Sequence, residues 1–421
     1  MTRSLGSNCI ALLLVSVLAG CGERPSARTE PLGAAKGTLE IGYAEQPETL
    51  VSTASRRLID NISAADIGEE FGVPDARTPY PDTYWPFAYG GTDLHWYQRG
   101  SDPRSPIEKY MAITAPEATY FAKAWEHNNH GMGAPALALW NGHCPGWAGA
   151  ATNNAPILHR VFAGPDGRGG IAKCTEGTSG CVRFEIGDVN ALMAEVYVDS
   201  PVVIIGSTCG TRPYDIPYDW YGRVLKDGCR GVNPGSLIIA VSTLLRRHQI
   251  PFAMAAQNEN TTDQIWTQPT YRYYVYDFQP LTRAAAVNLV TRSSIAGPDA
   301  TYVWNPAAQG FAFMDLGLRF VGEDKPHVEL LSGLRSTYEM RVTAVLELDA
   351  DASDPNAKIL GGEYVAISNR ETNRLTVPPF IWVARGMGPD DLPFYVGSNH
   401  HNPFIRPSVV KQLIVLGQQP E

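Results

Sequence analysis

An α+β fold is what this sequence predicts, helical in its first half and strand-rich towards its end. Three observations predict it. Helix-start signals cluster between residues 105 and 150. Aromatic and β-branched runs with turn residues between them take over after residue 230. A hydrophobic content of 44% in 421 residues supports a sizeable core, while 40 Gly and 32 Pro imply many turns. At about 150 residues per domain, the length allows one large domain or two to three smaller ones. The net charge of −9 is spread out and no basic stripe occurs, which argues against nucleic acid as a partner.

The N-terminus reads as an export signal. Arg3 gives a thin positive start, and Ile10 to Leu18 is an apolar run too short to span a bilayer as a helix. "LAGC", Leu18 to Cys21, has the form of a bacterial lipobox, in which the cysteine is acylated and begins the mature chain. An ordinary cleaved signal is the alternative. Residues 1–20 are therefore expected to be a lipoprotein signal peptide. Residues 21–40, polar and rich in Pro, Gly and Ala, are expected to be a flexible tether. No later run reaches 18 apolar residues. The body is thus expected to sit outside the cytoplasm at the bacterial cell envelope, held to a membrane by its lipid only.

Along the chain, residues 54–71 carry mixed helical spacing and residues 83–91 are aromatic and turn-rich. "SPIEKYMAI" predicts a helix with Ser105 as N-cap, Pro106 at the first helical position and Glu108 completing a capping box. Tyr120 to His130 predicts a second helix, stopped at Gly131. In "LWNGHCPGWAGAA", Pro145 and the small residues Ala148, Ala150 and Ala151 predict a third, with Cys144 at its N-terminus. Asn153, Asn154 and Pro156 close it. At such a terminus the peptide dipoles and unpaired N–H groups favour an anion. The thiol is expected to ionise more readily there, and an oxyanion to be stabilised.

Further on, Arg183 to Tyr197 reads as a strand followed by a helix with Asp188 near its start. Asn233 to Gln257 reads as an antiparallel hairpin whose first arm is a buried strand. Gln264 to Phe278 is aromatic strand material, and residues 338–367 form two strand-like arms around a polar loop. That loop sets Asp349, Asp351 and Ser353 at the first spacings of a calcium loop. Asp354 and Leu360 stand where Gly and Glu are needed, so a solvated turn is expected.

The seven cysteines are Cys9, Cys21, Cys144, Cys174, Cys181, Cys209 and Cys229. Cys9 leaves with the signal and Cys21 carries the lipid. Five remain, an odd number for an oxidising compartment, so one stays free or pairs between chains. Sequence does not fix the connectivity. Short loops favour Cys174 with Cys181 and Cys209 with Cys229, which leaves Cys144. A zinc site is the competing idea, and no CxxC or HxxxH spacing supports it.

Seven stretches, "YWPFAYGG", "SPIEKY", "WNGHCPGWAGAA", "GDVNALMAEVY", "GRVLKDGCRGVNPGS", "QIWTQPTYRY" and "LELDADASDPNAKILGGEYV…FIW", occur in an order that resembles the transglutaminase elicitor family. The similarity runs from about Thr83 to about Arg385. It implies a papain-like or transglutaminase-like core with an antiparallel sheet over residues 41–285. A β-rich C-terminal portion, residues 286–421, is expected to pack on that core. It also implies a Cys-His-Asp triad with Cys144 as the nucleophile at its helix N-terminus. The implied chemistry is that of a protein-glutamine gamma-glutamyltransferase. The thiolate attacks a glutamine carboxamide, and the thioester passes to an amine or to water. The implied partners are a protein or peptide glutamine donor and an amine acceptor. No cofactor and no metal is expected.

The sequence departs from the family pattern at the other two triad positions. Ile238 stands where the histidine is implied, and Ala255 or Ala256 where the aspartate is. Asp263 is a stand-in for the aspartate if the loop shifts. His127 and His130 share a helix face shortly before Cys144, so either is a candidate base or orienting group; a surface or capping histidine is the plainer alternative for each. As a metal pair they lack a third ligand nearby in sequence. His143 adjoins Cys144, and neighbouring side chains rarely face each other at such a turn. Two functions remain open: an active acyltransferase, or a pseudoenzyme that keeps the fold and binds a partner at the cell envelope. A buried, inert Cys144 is the plain structural alternative.

Overall fold

The computed structural model describes residues 50–51, 53–97, 102–134, 141–207, 215, 230–257, 265–290, 304–328, 336–365, 368–369, 374–375, 377–390 and 400–419. In chain order the elements begin with α1 (Leu58–Asn61), β1 (Glu70–Gly72), α2 (Pro106–Thr114), α3 (Thr119–His130) and α4 (Cys144–Asn153). A small three-stranded sheet follows, made of β2 (Val161–Pro165), β3 (Ile171–Lys173) and β4 (Val182–Phe184). Then come α5 (Ile186–Val196), β5 (Val202–Gly206), α6 (Pro234–Val241), β6 (Phe252–Gln257), β7 (Ile265–Leu281) and α7 (Arg283–Val290). The last part holds β8 (Gly310–Val321), β9 (Thr337–Leu348), β10 (Ile359–Tyr364), the short pair β11 (Ser368–Asn369) and β12 (Arg374–Leu375), β13 (Phe380–Ala384) and α8 (Pro407–Gln418). The chain is mixed helix and antiparallel sheet.

The main sheet has eight strands in the order β10-β9-β8-β7-β6-β13-β5, with β1 added beside β7. Its pairings are antiparallel. β7 is the spine. Its first half, from Ile265, pairs with β6, residues 272–274 pair with β1, and its other edge pairs with β8 from Thr270 to Leu281. The sheet therefore runs across residue 285, where the sequence places a boundary. One core unites the two sides, from Trp85 and Trp147 to Leu316 and Leu346.

The helices lie against this sheet and against one another. α4 packs on β6, β7 and β13, α5 on α4, and α8 on α5. The capping box at α2 forms as the sequence predicts: the Glu108 N–H donates to Ser105 Oγ at 3.3 Å, and the Ser105 N–H donates to Glu108 Oε2 at 2.9 Å. Residues 54–71 form little helix, only α1 and a single 3₁₀ turn before β1. The loop between β9 and β10 is a turn held by its own side chains, with Asp351 Oδ1 accepting from Ser353 N at 2.9 Å.

One expected element is overturned. The first arm of the hairpin at Asn233 is the helix α6, continued by a π-helical stretch, Ser242–Arg247. Asn233 caps it, its Oδ1 accepting from Gly235 N at 2.9 Å, and Pro234 occupies the first turn. All eight residues of α6 are buried, against β9 and β10. A short apolar run fits a buried helix as well as a buried strand, and the cap at Asn233-Pro234 favours the helix. Only the second arm is a strand, β6, reached through Gln249 at φ 54°.

Candidate functional site

Cys144 opens α4. The carbonyl of His143 accepts the N–H of Trp147 at 2.8 Å, which starts the helix, and Pro145 sits in the first turn. The thiol is 1% exposed and is not in a disulfide. Two close approaches set its position. The segment Asn141–His143 runs beside Tyr84–Phe87, with His143 N donating to Tyr84 O at 2.6 Å and Phe87 N to Asn141 O at 2.8 Å. A Cβ on Gly142 would lie 2.5 Å from the Tyr84 carbonyl oxygen, so only glycine fits. Within α4, a Cβ on Gly146 would lie 1.8 Å from the Ala194 oxygen, so α4 and α5 meet backbone to backbone. Beside this turn, Trp85 is fully buried with φ 47°, a left-handed conformation that costs a large side chain on the order of 1–3 kcal/mol.

His143, the residue before Cys144, belongs to a ring of two carboxylates and two imidazoles. Glu126 and His130 come from one face of α3, His143 from the cap of α4 and Glu195 from α5; all four are fully buried. His130 Nδ1 is 3.3 Å from Glu126 Oε2 and 3.4 Å from Glu195 Oε1. His143 Nε2 is 3.0 Å from Glu195 Oε2 and 3.6 Å from Glu126 Oε1. The rings are held by aromatic walls, with Phe87 stacked on His130 at 4.8 Å and Trp125 edge-on at 4.9 Å. Outer hydrogen bonds aim the carboxylates. Thr92 N and Oγ1 donate to Glu126 Oε1 at 2.8 and 2.7 Å, and Asn402 N donates to Glu195 Oε1 at 2.5 Å.

The electrostatics follow from this geometry. Burial alone would lower His130, but the charges of Glu195 and Glu126 outweigh it and push the imidazole up to about 10. His143 is raised in the same way, against burial, chiefly by Glu195. In return, burial would raise Glu195, yet the His143 and His130 charges hold its carboxyl well below the usual range. A second buried pair, Lys109 with Asp188 at 2.5 Å, ties α2 to α5.

Several residues singled out in sequence are placed by the structure. His130 lies in the ring with its Nδ1 between the carboxylates of Glu126 and Glu195, so it is not a free base. His127 points outward from α3 and is exposed. Ile238 is buried in α6, and Ala255 is buried in β6 opposite Thr267. Cys174 and Cys181 form a disulfide with Cα atoms 5.8 Å apart. Cys21, Cys209, Cys229 and Asp263 lie outside the described residues. A cavity of about 330 Å³ lies at the far end of α4, lined by Thr152, Asn153, Leu244 and Val383, and does not reach the thiol. Among the described residues, no helix is long and apolar enough to cross a membrane.

Sequence reading missed the four-residue ring. Glu126 and His130, one helical turn apart, were its only local trace.

Comparison with known proteins adds the family. A family model described as transglutaminase elicitor matches residues 126–401, a span holding Cys144 and all four ring residues. Among solved structures, the GP42 transglutaminase from Phytophthora sojae is similar in fold, with a TM-score of 0.60 at 17% identity, covering 89% of this chain and 98% of that one. A comparison with curated proteins gives no match. The family match takes in well over half of the sequence, and the chain belongs to the transglutaminase elicitor family.

Proposed function

We propose that this protein is a transglutaminase-related thiol acyltransferase with a papain-like core, anchored at the cell envelope through a lipid on Cys21 and a tether over residues 21–40. In this reading Cys144 sulfur bonds to the carbonyl carbon of a glutamine side chain. The C–N bond breaks, and ammonia leaves with the thiol proton. The thioester then acylates an amine, or water in deamidation. The observation that carries it is Cys144 itself, a cysteine outside any disulfide, at the first position of a ten-residue helix whose dipole favours the thiolate.

A second reading has its own support. Ile238 and Ala255 are buried and apolar, and the thiol is nearly sealed. Each favours a silent family member that binds a partner. Without a triad imidazole, turnover is expected to fall by a factor of about 10⁴ or more. The test is incubation of the purified protein with a glutamine peptide and a fluorescent amine. Label that enters and disappears in Cys144→Ala supports acyl transfer. No label, together with a Cys144 that resists iodoacetamide at neutral pH, leaves the binding reading.

A further inference from the structure

We propose that Glu126, His130, His143 and Glu195 form a closed binding site for one divalent cation of the zinc class, which fixes the turn carrying Cys144. Donors about 2.0–2.2 Å from a tetrahedral ion stand roughly 3.3 Å apart. The four carboxylate–imidazole separations around the ring are 3.0, 3.3, 3.4 and 3.6 Å, each imidazole meeting a different oxygen of each carboxylate, so a modest carboxylate rotation brings one oxygen of each to that scale. One donor atom from each residue can be chosen so that all lie within 4.8 Å of one another.

The orientation of the groups is a second observation. His143 Nε2 and Glu195 Oε2 are 3.0 Å apart and fully buried, yet neither makes a hydrogen bond. Two polar atoms this close, each aimed past the other, suit ligands that share an ion. Buried polar atoms are otherwise paired nearly always. The carboxylates are already oriented from behind, Glu126 by Thr92 and Asn402, Glu195 by the Asn402 backbone, as outer hydrogen bonds orient metal ligands.

The donor set selects the ion. Two imidazoles and two carboxylates bring nitrogen and oxygen donors and two negative charges, which one divalent ion neutralises. Phe87 and Trp125 wall the ring, and all four residues are fully buried, so no position is open to water or substrate. The site is therefore structural, a clasp joining α3, α5 and the cap of α4. It does not depend on acyl transfer: a silent family member would hold the ion equally well.

The experiment measures metal on the full chain purified in detergent, by elemental analysis before and after treatment with a strong chelator. The expected result is one equivalent of a zinc-class ion per chain. Its removal should lower the thermal midpoint, added Zn²⁺ should restore it, and Co²⁺ in its place should give the visible absorption of a tetrahedral N/O site. His130→Gln and Glu195→Gln should lose the ion. His127→Gln, on the exposed face of the same helix, should keep it. Folded protein with substoichiometric metal, and a midpoint that neither chelator nor Zn²⁺ moves, overturns the proposal and leaves a proton-bridged ion-pair ring. Loss of the ion in His127→Gln overturns it too. If the buried variants fail to fold, the wild-type measurements decide.

Discussion

Asp82 shows at the scale of a residue how burial sets behaviour. It is 1% exposed, and burial pushes its carboxyl from an ordinary value of 3.8 up to about 8, against the hydrogen bond from the Thr83 N–H that lowers it. The folded state thus keeps a proton that the unfolded chain releases near pH 4. Stability from this group is fully present below that pH and is lost as pH rises through about 8. Asp82→Asn should remove the decline and make the variant more stable than wild type at pH 8.5, by a few kcal/mol, since a tenfold change in proton affinity is worth about 1.4 kcal/mol. Urea unfolding at pH 5 and 8.5 checks this, and equal slopes with pH in both proteins would refute it. The same scale shows what sequence cannot reveal. Nothing in "PDTYW" marks Asp82 as sealed, because burial comes from the fold. Cys144 was legible, because Pro145 and the small residues after it are local helix signals. His143 and Glu195 were not, because they meet only when α4 and α5 pack with Gly146 against Ala194.

Among the elements, those with local punctuation were readable. Ser105 and Glu108 announce α2 by themselves, and Gly131 stops α3 where expected. α6 carried its own start signal in Asn233-Pro234, but the apolar run behind it suggested a strand. Hydrophobic continuity reports burial without reporting period, so it cannot separate the two. The helical assignment makes a direct prediction. Asn233→Ala removes the cap hydrogen bond to Gly235 and should destabilise the protein by about 1 kcal/mol. A shift in the denaturant midpoint at constant slope is the expected readout. No shift at all would mean that the cap contributes nothing to α6.

For the whole molecule, the consequence lies in the sheet. The sequence shows strand-rich stretches on both sides of residue 285, but not that β7 pairs with β6 and β8 at once. Pairing partners far apart in sequence leave no local mark. A chain ending at residue 285 would leave one edge of the seventeen-residue β7 without β8, a template for pairing with other chains. Such a fragment should be insoluble or aggregated by light scattering, whereas the full chain stays dispersed. A soluble, folded 41–285 fragment would show instead that the first part stands alone.

The dependence of α4 on β6, β7 and β13 also has a consequence in time. In a chain delivered N-terminus first, Cys144 emerges long before Ala384, so the last part of its floor, β13, arrives late. During that wait its sulfur can be captured by any nearby partner. Cys174 and Cys181, only seven positions apart, can meet within the short hairpin that follows, because small loops close quickly. Their early union would take the two cysteines nearest in sequence out of circulation before α4 is fully covered.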